Sequence, residues 1–266
     1  MNSRIQTAPL SSLIRPMSAE AYKNRLWALT EQCPGCRLHT IGTTAAGRSI
    51  YAVSVGGEGE LPSVVYAGGF TGTDWLSAAV LLHFLEEYSR LLAEDGRLYR
   101  VHLPYLFASR RICVCPMVNW DAAEQVRTGT EDVPEGYTGK PSADPAAYFA
   151  GKEPAEKCPE GAALRQYLLY QEPGLFVCLQ GGGKGVLTVP EQPSPRAVTV
   201  GRLLSRMLSL PMEREEDDLS VVPGRYAAES GHMAYGVSLG EKGGEDGFYR
   251  GYTAIREFLY SAPLLI

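Results

Sequence analysis

Histidine is scarce in this chain, with 4 in 266 residues at positions 39, 83, 102 and 232, so no local pair of imidazoles exists to seed a metal site. His83-Phe84-Leu85-Glu86 matches H-x-x-E in form, but it falls in the middle of a helical pattern, where a half-buried structural histidine is the expected reading. A basic surplus is also missing. With 25 Lys and Arg against 30 Asp and Glu, a net charge of −5 and a pI near 5.5, the chain cannot neutralise a phosphate backbone, which excludes nucleic acid as the expected partner. No apolar stretch is long enough to span a bilayer. Arg4, Arg15, Lys23 and Arg25 interrupt the first thirty residues, which lack the layout of a signal peptide, so the cytoplasm is the expected compartment.

What is present is apolar bulk. Hydrophobic residues make up 45% of the chain, enough for a sizeable core in one α/β domain. Of the 6 cysteines, Cys113, Cys115 and Cys178 sit in apolar runs and are expected as free, buried thiols. Cys33-Pro34-Gly35-Cys36 has redox spacing, yet it follows a helical segment instead of opening one, and Pro-Gly makes a turn the simpler reading.

Periodicity predicts a capped helix over Ser18–Gln32, a hairpin leading through Ile50–Val55 to a central strand at Ser63–Ala67, and a long helix over Asp74–Leu92. On that helix Leu76, Val80, Phe84 and Leu91 form the apolar face, and Glu86 and Glu87 are expected on the wet side. Arg111–Met117 and Leu175–Leu179 read as buried strands, Val186-Leu187 as another, and Glu160–Tyr170 and Arg196–Leu208 as helices. Thr128–Pro159, rich in Gly and Pro, is expected to be a surface excursion, and the acidic run Glu213–Asp218 a solvated loop. The alternation implies a single α/β/α sandwich with a mixed, mostly parallel central sheet, with residues 1–17 as an extension and 18–266 as the domain. In such sheets ligands meet the loops beyond the strand carboxyl ends, which singles out Thr71, Asn119, Gln180 and Ser238.

Those loops carry a resemblance. Residues 41–50 (IGTTAAGRSI) are similar to an I-G-x-S-x-x-G-R-x-I entry turn, Gly69–Trp75 (GFTGTDW) to G-I-H-G-N-E-W, and Pro116–Ala122 (PMVNWDA) to P-M-V-N-P-D-G. Phe149-Ala150-Gly151 with Glu160 resembles the approach to the next helix, Leu179-Gln180-Gly181 lies where L-H-S would fall, and Gly236–Gly240 (GVSLG) resembles T-I-E-L-G. In that order the segments resemble the carboxypeptidase A-like zinc metallocarboxypeptidases, particularly the bacterial γ-D-glutamyl-diaminopimelate peptidase-like branch. The resemblance implies a zinc held at the positions of Thr71, Asp74 and Gln180, and a general-base carboxylate at Ser238.

None of those four residues is the expected one. A catalytic zinc takes three ligands from imidazole, carboxylate or thiolate, and Thr71 and Gln180 offer neutral oxygens. Without the metal a pocket water keeps a pKa near ~15.7 instead of about 7, and a serine hydroxyl is no general base. The arginine clamp for a terminal carboxylate is missing too, since neither Arg127 nor Lys140 stands in the family's pattern. No catalytic residue is therefore expected intact and no cofactor is expected; an unpaired Asp74 should find Lys184, Lys242 or water. The expected role is a pseudo-peptidase that binds a peptide, a cell-wall stem-peptide fragment or a protein partner, with Asn119, Tyr235, His232 and Trp75 as substrate-binding candidates. Two alternatives stay open. One is an active zinc carboxypeptidase or γ-D-glutamyl-diaminopimelate peptidase with non-standard ligands among Asp74, Gln180, His232 and Cys178. The other is a structural or interaction module whose cleft is filled by its own loop, such as 129–145. A repurposed Ser238–His232–Asp74 triad is disfavoured, because Ser238 reads as part of a strand instead of a nucleophile elbow. Gly181-Gly182-Gly183-Lys184-Gly185 lacks the P-loop order and reads as a turn.

Overall fold

A computed structural model describes residues 16–129, 145–214, 221–240 and 245–266. The first helix, α1 (Ala19–Gln32), opens on Ser18, whose side chain accepts the Ala21 N–H, and packs Tyr22, Leu26 and Leu29 inward at the spacing its sequence predicts. The hairpin β1 (Cys36–Thr43) and β2 (Ser49–Val55) follows, then β3 (Ser63–Ala67) and the long helix α2 (Trp75–Ala93). A two-stranded ribbon, β4 (Arg97–Leu98) with β5 (Val101–His102), leads into α3 (Leu103–Ser109), β6 (Arg111–Cys115) and α4 (Trp120–Thr128). Then come α5 (Pro145–Phe149), a 3₁₀ turn at Ala155–Lys157, α6 (Pro159–Gln171), β7 (Leu175–Gln180), β8 (Gly182–Val189), α7 (Pro195–Leu208), β9 (Met212–Arg214), α8 (Val221–Ser230), β10 (Met233–Gly240) and α9 (Glu245–Ser261).

The strands form one mixed sheet in the order β1-β2-β6-β3-β7-β10-β8-β9. Its middle, β6-β3-β7-β10, is parallel, and β2 and β8 run against it on either side. Side chains alternate between two cores. On β7, Leu175, Val177 and Leu179 join α1, α2, α7 and α9 on one face, while Phe176 and Cys178 join α5, α6 and α8 on the other. Both faces are therefore covered, as a parallel sheet requires, and the expected α/β/α sandwich is the observed one.

Two expectations need correction. Glu86 and Glu87, placed by periodicity on the wet side of α2, are each 5% exposed. Arg25 from α1 grips Glu86 through Nε at 2.5 Å and Nη2 at 3.1 Å, and Arg256 from α9 donates from Nε to Glu87 at 2.6 Å. The helix is wrapped on that side as well, so its acids face protein. Within the expected excursion, α5, the 3₁₀ turn and the start of α6 are regular structure; residues 130–144, like residues 1–15, 215–218 of the acidic run and Lys242, lie outside the described residues.

Candidate functional site at the carboxyl edge of the sheet

Because β6, β3, β7 and β10 are parallel neighbours, their exits gather at one edge of the sheet. The exits of β3 and β6 stay zipped beyond the strands: Gly68 N–H donates to Cys115 O, Val118 N–H to Gly68 O and Asn119 N–H to Gly69 O, all within 2.9–3.0 Å. Gly69 makes this possible. It has φ +64°, and a Cβ there would sit 2.5 Å from Met117 Sδ and 2.9 Å from Met117 Cα. On the other side, Gln180 and Ser238 are register partners on β7 and β10. The edge thus brings together Thr71, Asp74, Asn119, Gln180 and Ser238.

Asp74 organises it. The residue caps α2 and is 4% exposed. Its Oδ1 accepts Ser77 N–H at 3.1 Å and Gly181 N–H at 2.9 Å, and its Oδ2 accepts the Ser77 hydroxyl at 2.7 Å, whose oxygen in turn accepts Gly69 N–H at 2.8 Å. One carboxylate therefore ties the β3 exit, the start of α2 and the β7 exit. Burial pushes its carboxyl above the ordinary range, and the hydrogen bonds from Ser77, Gly181 and Gly69 oppose that push. Its described partners are all backbone N–H groups and a hydroxyl, so the expected exposure to water is corrected. The positive terminus of α2 adds to their hold on the carboxylate, while the side chains of Lys184 and Lys242, its expected partners, lie outside the described residues.

Ser238 and Asn119 are engaged as well. Ser238, mostly buried, donates its hydroxyl to Gly182 O at 2.6 Å. Asn119 accepts Ala122 N–H at 3.1 Å and caps α4. Thr71 Oγ1 lies 3.5 Å from Thr73 Oγ1, and Thr71 and Gln180 are half-buried. Gly181 leaves little space: a Cβ would stand 2.6 Å from Asp74 Oδ1 and 2.8 Å from Leu76 Cβ.

Of the other three candidates, two are packed into the core and one lies at the opposite edge. Trp75, next to Asp74 at the start of α2, is 5% exposed and packs edge-on to Trp120 in the core, 6.2 Å between centroids. Tyr235 is 0% exposed and donates its hydroxyl to Ala197 O at 2.7 Å inside the core. His232 is exposed and precedes β10, whereas Ser238 lies near its far end, so at about 3.3 Å per strand residue roughly 20 Å separates them. That distance removes the triad. His232 instead borders a cavity of ≈ 720 Å³ at the amino edge, lined also by Glu60, Arg111, Glu172 and Arg196. His39 bonds Ser54 Oγ at 2.7 Å, His102 bonds Asp95 Oδ1 at 3.0 Å and His83 packs on Tyr252, so no histidine belongs to the carboxyl-edge loops. Cys178 is buried with its thiol pushed far up. Among the described residues, no group of three or more His, Cys, Asp or Glu is placed to hold a metal ion. Sequence reading missed Ser77 and Gly181; the D-W-L-S spacing, a cap with a hydroxyl three residues on, was the available signal.

Residues 22–138 match the family model for zinc carboxypeptidase. A segment is 26% identical over 111 residues to the uncharacterised protein YqgT of Bacillus subtilis, covering 42% of this chain and 30% of that protein, so this chain matches well under two thirds of that relative's length. The fold is similar to the metallo-carboxypeptidase of Burkholderia cenocepacia, with a TM-score of 0.70 and 15% identity over 94% of this chain and 69% of that one. A Pseudomonas aeruginosa metallo-carboxypeptidase in complex with (2-guanidinoethylmercapto)succinic acid gives 0.71 and 14% over 94% and 69%. Bovine thrombin-activatable fibrinolysis inhibitor in complex with tick carboxypeptidase inhibitor gives 0.70 and 14% over 93% and 97%. Identities this low speak for the fold alone. The chain has the fold of the zinc carboxypeptidases and carries that family's sequence pattern over residues 22–138.

Proposed function

We propose that this chain is a zinc carboxypeptidase-like protein, one domain over residues 18–266, that neither holds a catalytic zinc nor hydrolyses peptides, and that binds a peptide or cell-wall stem-peptide fragment at the carboxyl edge of its sheet. The observation that carries this reading is the state of Asp74. The carboxylate at a ligand position already accepts three hydrogen bonds from within the fold. Thr71 and Gln180 add neutral oxygens, and the hydroxyl at the position of the base is donated to Gly182 O. Such a donor set does not fit zinc. A peptide ligand is supported by what proteins of similar fold hold: (2-guanidinoethylmercapto)succinic acid in one and tick carboxypeptidase inhibitor in another. A cytoplasmic location suits six buried thiols.

The test is zinc content and peptide turnover measured on one preparation. After equilibration with zinc and removal of the excess, the expected result is far less than one zinc per chain, no cleavage of acyl-dipeptides or γ-D-glutamyl-diaminopimelate peptides, and calorimetric binding of at least one of them. Stoichiometric zinc with cleavage would establish the active metallopeptidase instead. Absence of both binding and cleavage would favour a structural or interaction module.

A further inference from the structure

The Cys33-Pro34-Gly35-Cys36 segment plays no part in the site above, yet its geometry is specific. Cys33 ends α1 and Cys36 begins β1, and the Cys36 N–H donates to Cys33 O at 2.9 Å, closing a four-residue turn. Such a turn holds its end Cα atoms under about 7 Å apart, which overlaps the ~4.4–6.8 Å span of a disulfide. Both thiols are free and buried, while Pro34 between them is exposed. Ser89 Oγ on α2 lies 3.4 Å from Cys36 Sγ and fixes that side chain from behind. The other four cysteines lie in strands or at the start of α6, and none has a second cysteine three residues away in sequence.

We infer that Cys33 and Cys36 form a reversible dithiol–disulfide site, with Cys33 as the attacking sulfur and Cys36 as the resolving one, and small-molecule disulfides of the glutathione type as the oxidant. The Cys33 thiolate attacks one sulfur of the oxidant, and the first thiolate leaves and takes up a proton. Cys36 then loses its proton and attacks Cys33 Sγ, expelling the second thiolate. Two protein thiols are oxidised to one disulfide, and one small disulfide is reduced to two thiols. The roles follow from the placement: Cys33 sits at the carboxyl end of α1, where the helix frays, while Cys36 is held in β1 with its sulfur against Ser89 Oγ. In keeping with this, a hydrogen bond from Cys36, with help from Ser89 and the Gly35 and Cys36 amides, pulls the Cys33 thiol down to about 6 against its burial, and the Cys36 thiol is pushed up. Thiolate character, not exposure alone, selects the reactive sulfur. Access comes from fraying of the last turn of α1, the kind of local opening that helix ends undergo at low cost.

The full native chain, incubated with oxidised glutathione, alkylated and cut with trypsin, reads this out in one peptide, Leu26–Arg37, which contains both cysteines and no other. The expected result is that this peptide becomes two hydrogens lighter and refuses alkylation, that a reducing dithiol reverses the change, and that Cys113, Cys115, Cys158 and Cys178 remain thiols. A peptide that stays a dithiol, one that keeps a glutathione adduct, or simultaneous oxidation of all six cysteines would overturn the assignment. Alkylation of reduced Cys33 should be half-maximal near pH 6 and shift upward toward ~8.5 in Cys36→Ala. Should that variant not fold, the wild-type profile still decides: a rate that climbs only through pH ~8.5 contradicts the attacking role.

Discussion

The two ends of α2 hold buried carboxylates in opposite ways. At its start Asp74 is satisfied by backbone N–H groups and a serine hydroxyl; in its second half Glu86 and Glu87 are satisfied by Arg25 and Arg256. The difference follows from the helix. Its first turn presents unpaired N–H donors and a positive dipole end, so a carboxylate there needs no cation, whereas three turns later every N–H is spent within the helix and only another side chain can help. Arginine fills that need with a planar fork that a lysine lacks. The lesson for the candidate site is that a buried acid at a helix start is held by the fold's own donors.

The contrast can be broken from either end. Arg256→Ala should be the most damaging change, about 4 kcal/mol in urea unfolding, because it strands Glu87 in the core, and pairing it with Glu87→Leu should recover most of the loss. Asp74→Ala should cost about 3 kcal/mol, from the lost cap and buried donors left without an acceptor. Its zinc content should stay as low as that of the parent, which a metal-binding Asp74 would not allow. Gly181→Ala, which sets a methyl against Asp74 Oδ1 and Leu76, should cost about 2 kcal/mol by the same denaturant measurement. Ser238→Ala should cost about 1 kcal/mol and leave peptide affinity within a small factor, since the hydroxyl it removes already points its hydrogen at Gly182 O.

Much of this frame was legible in the chain. Strand exits, the capped helices and the order of glycine-rich turns are local patterns, and they carried both the sheet and the gathering of Thr71, Asn119, Gln180 and Ser238 at one edge. What was not legible depended on distant partners. Arg25 and Arg256 reach Glu86 and Glu87 across 61 and 169 residues, and no periodicity on α2 announces them. Tyr235 and His232 looked close to the site because they are close to Ser238 in sequence, but a strand is long and alternates. Tyr235 therefore faces the opposite core, and His232 emerges at the amino edge. The amide of Gly181, 107 residues away, is likewise a partner of Asp74 that no local reading announces.

Gly69 has a consequence for what the edge tolerates. Its turn, at φ +64° and pressed against Met117, accepts no side chain. A side chain at position 69 would have to push Met117 aside, and so would unzip the β3 and β6 exits on which the whole edge is mounted.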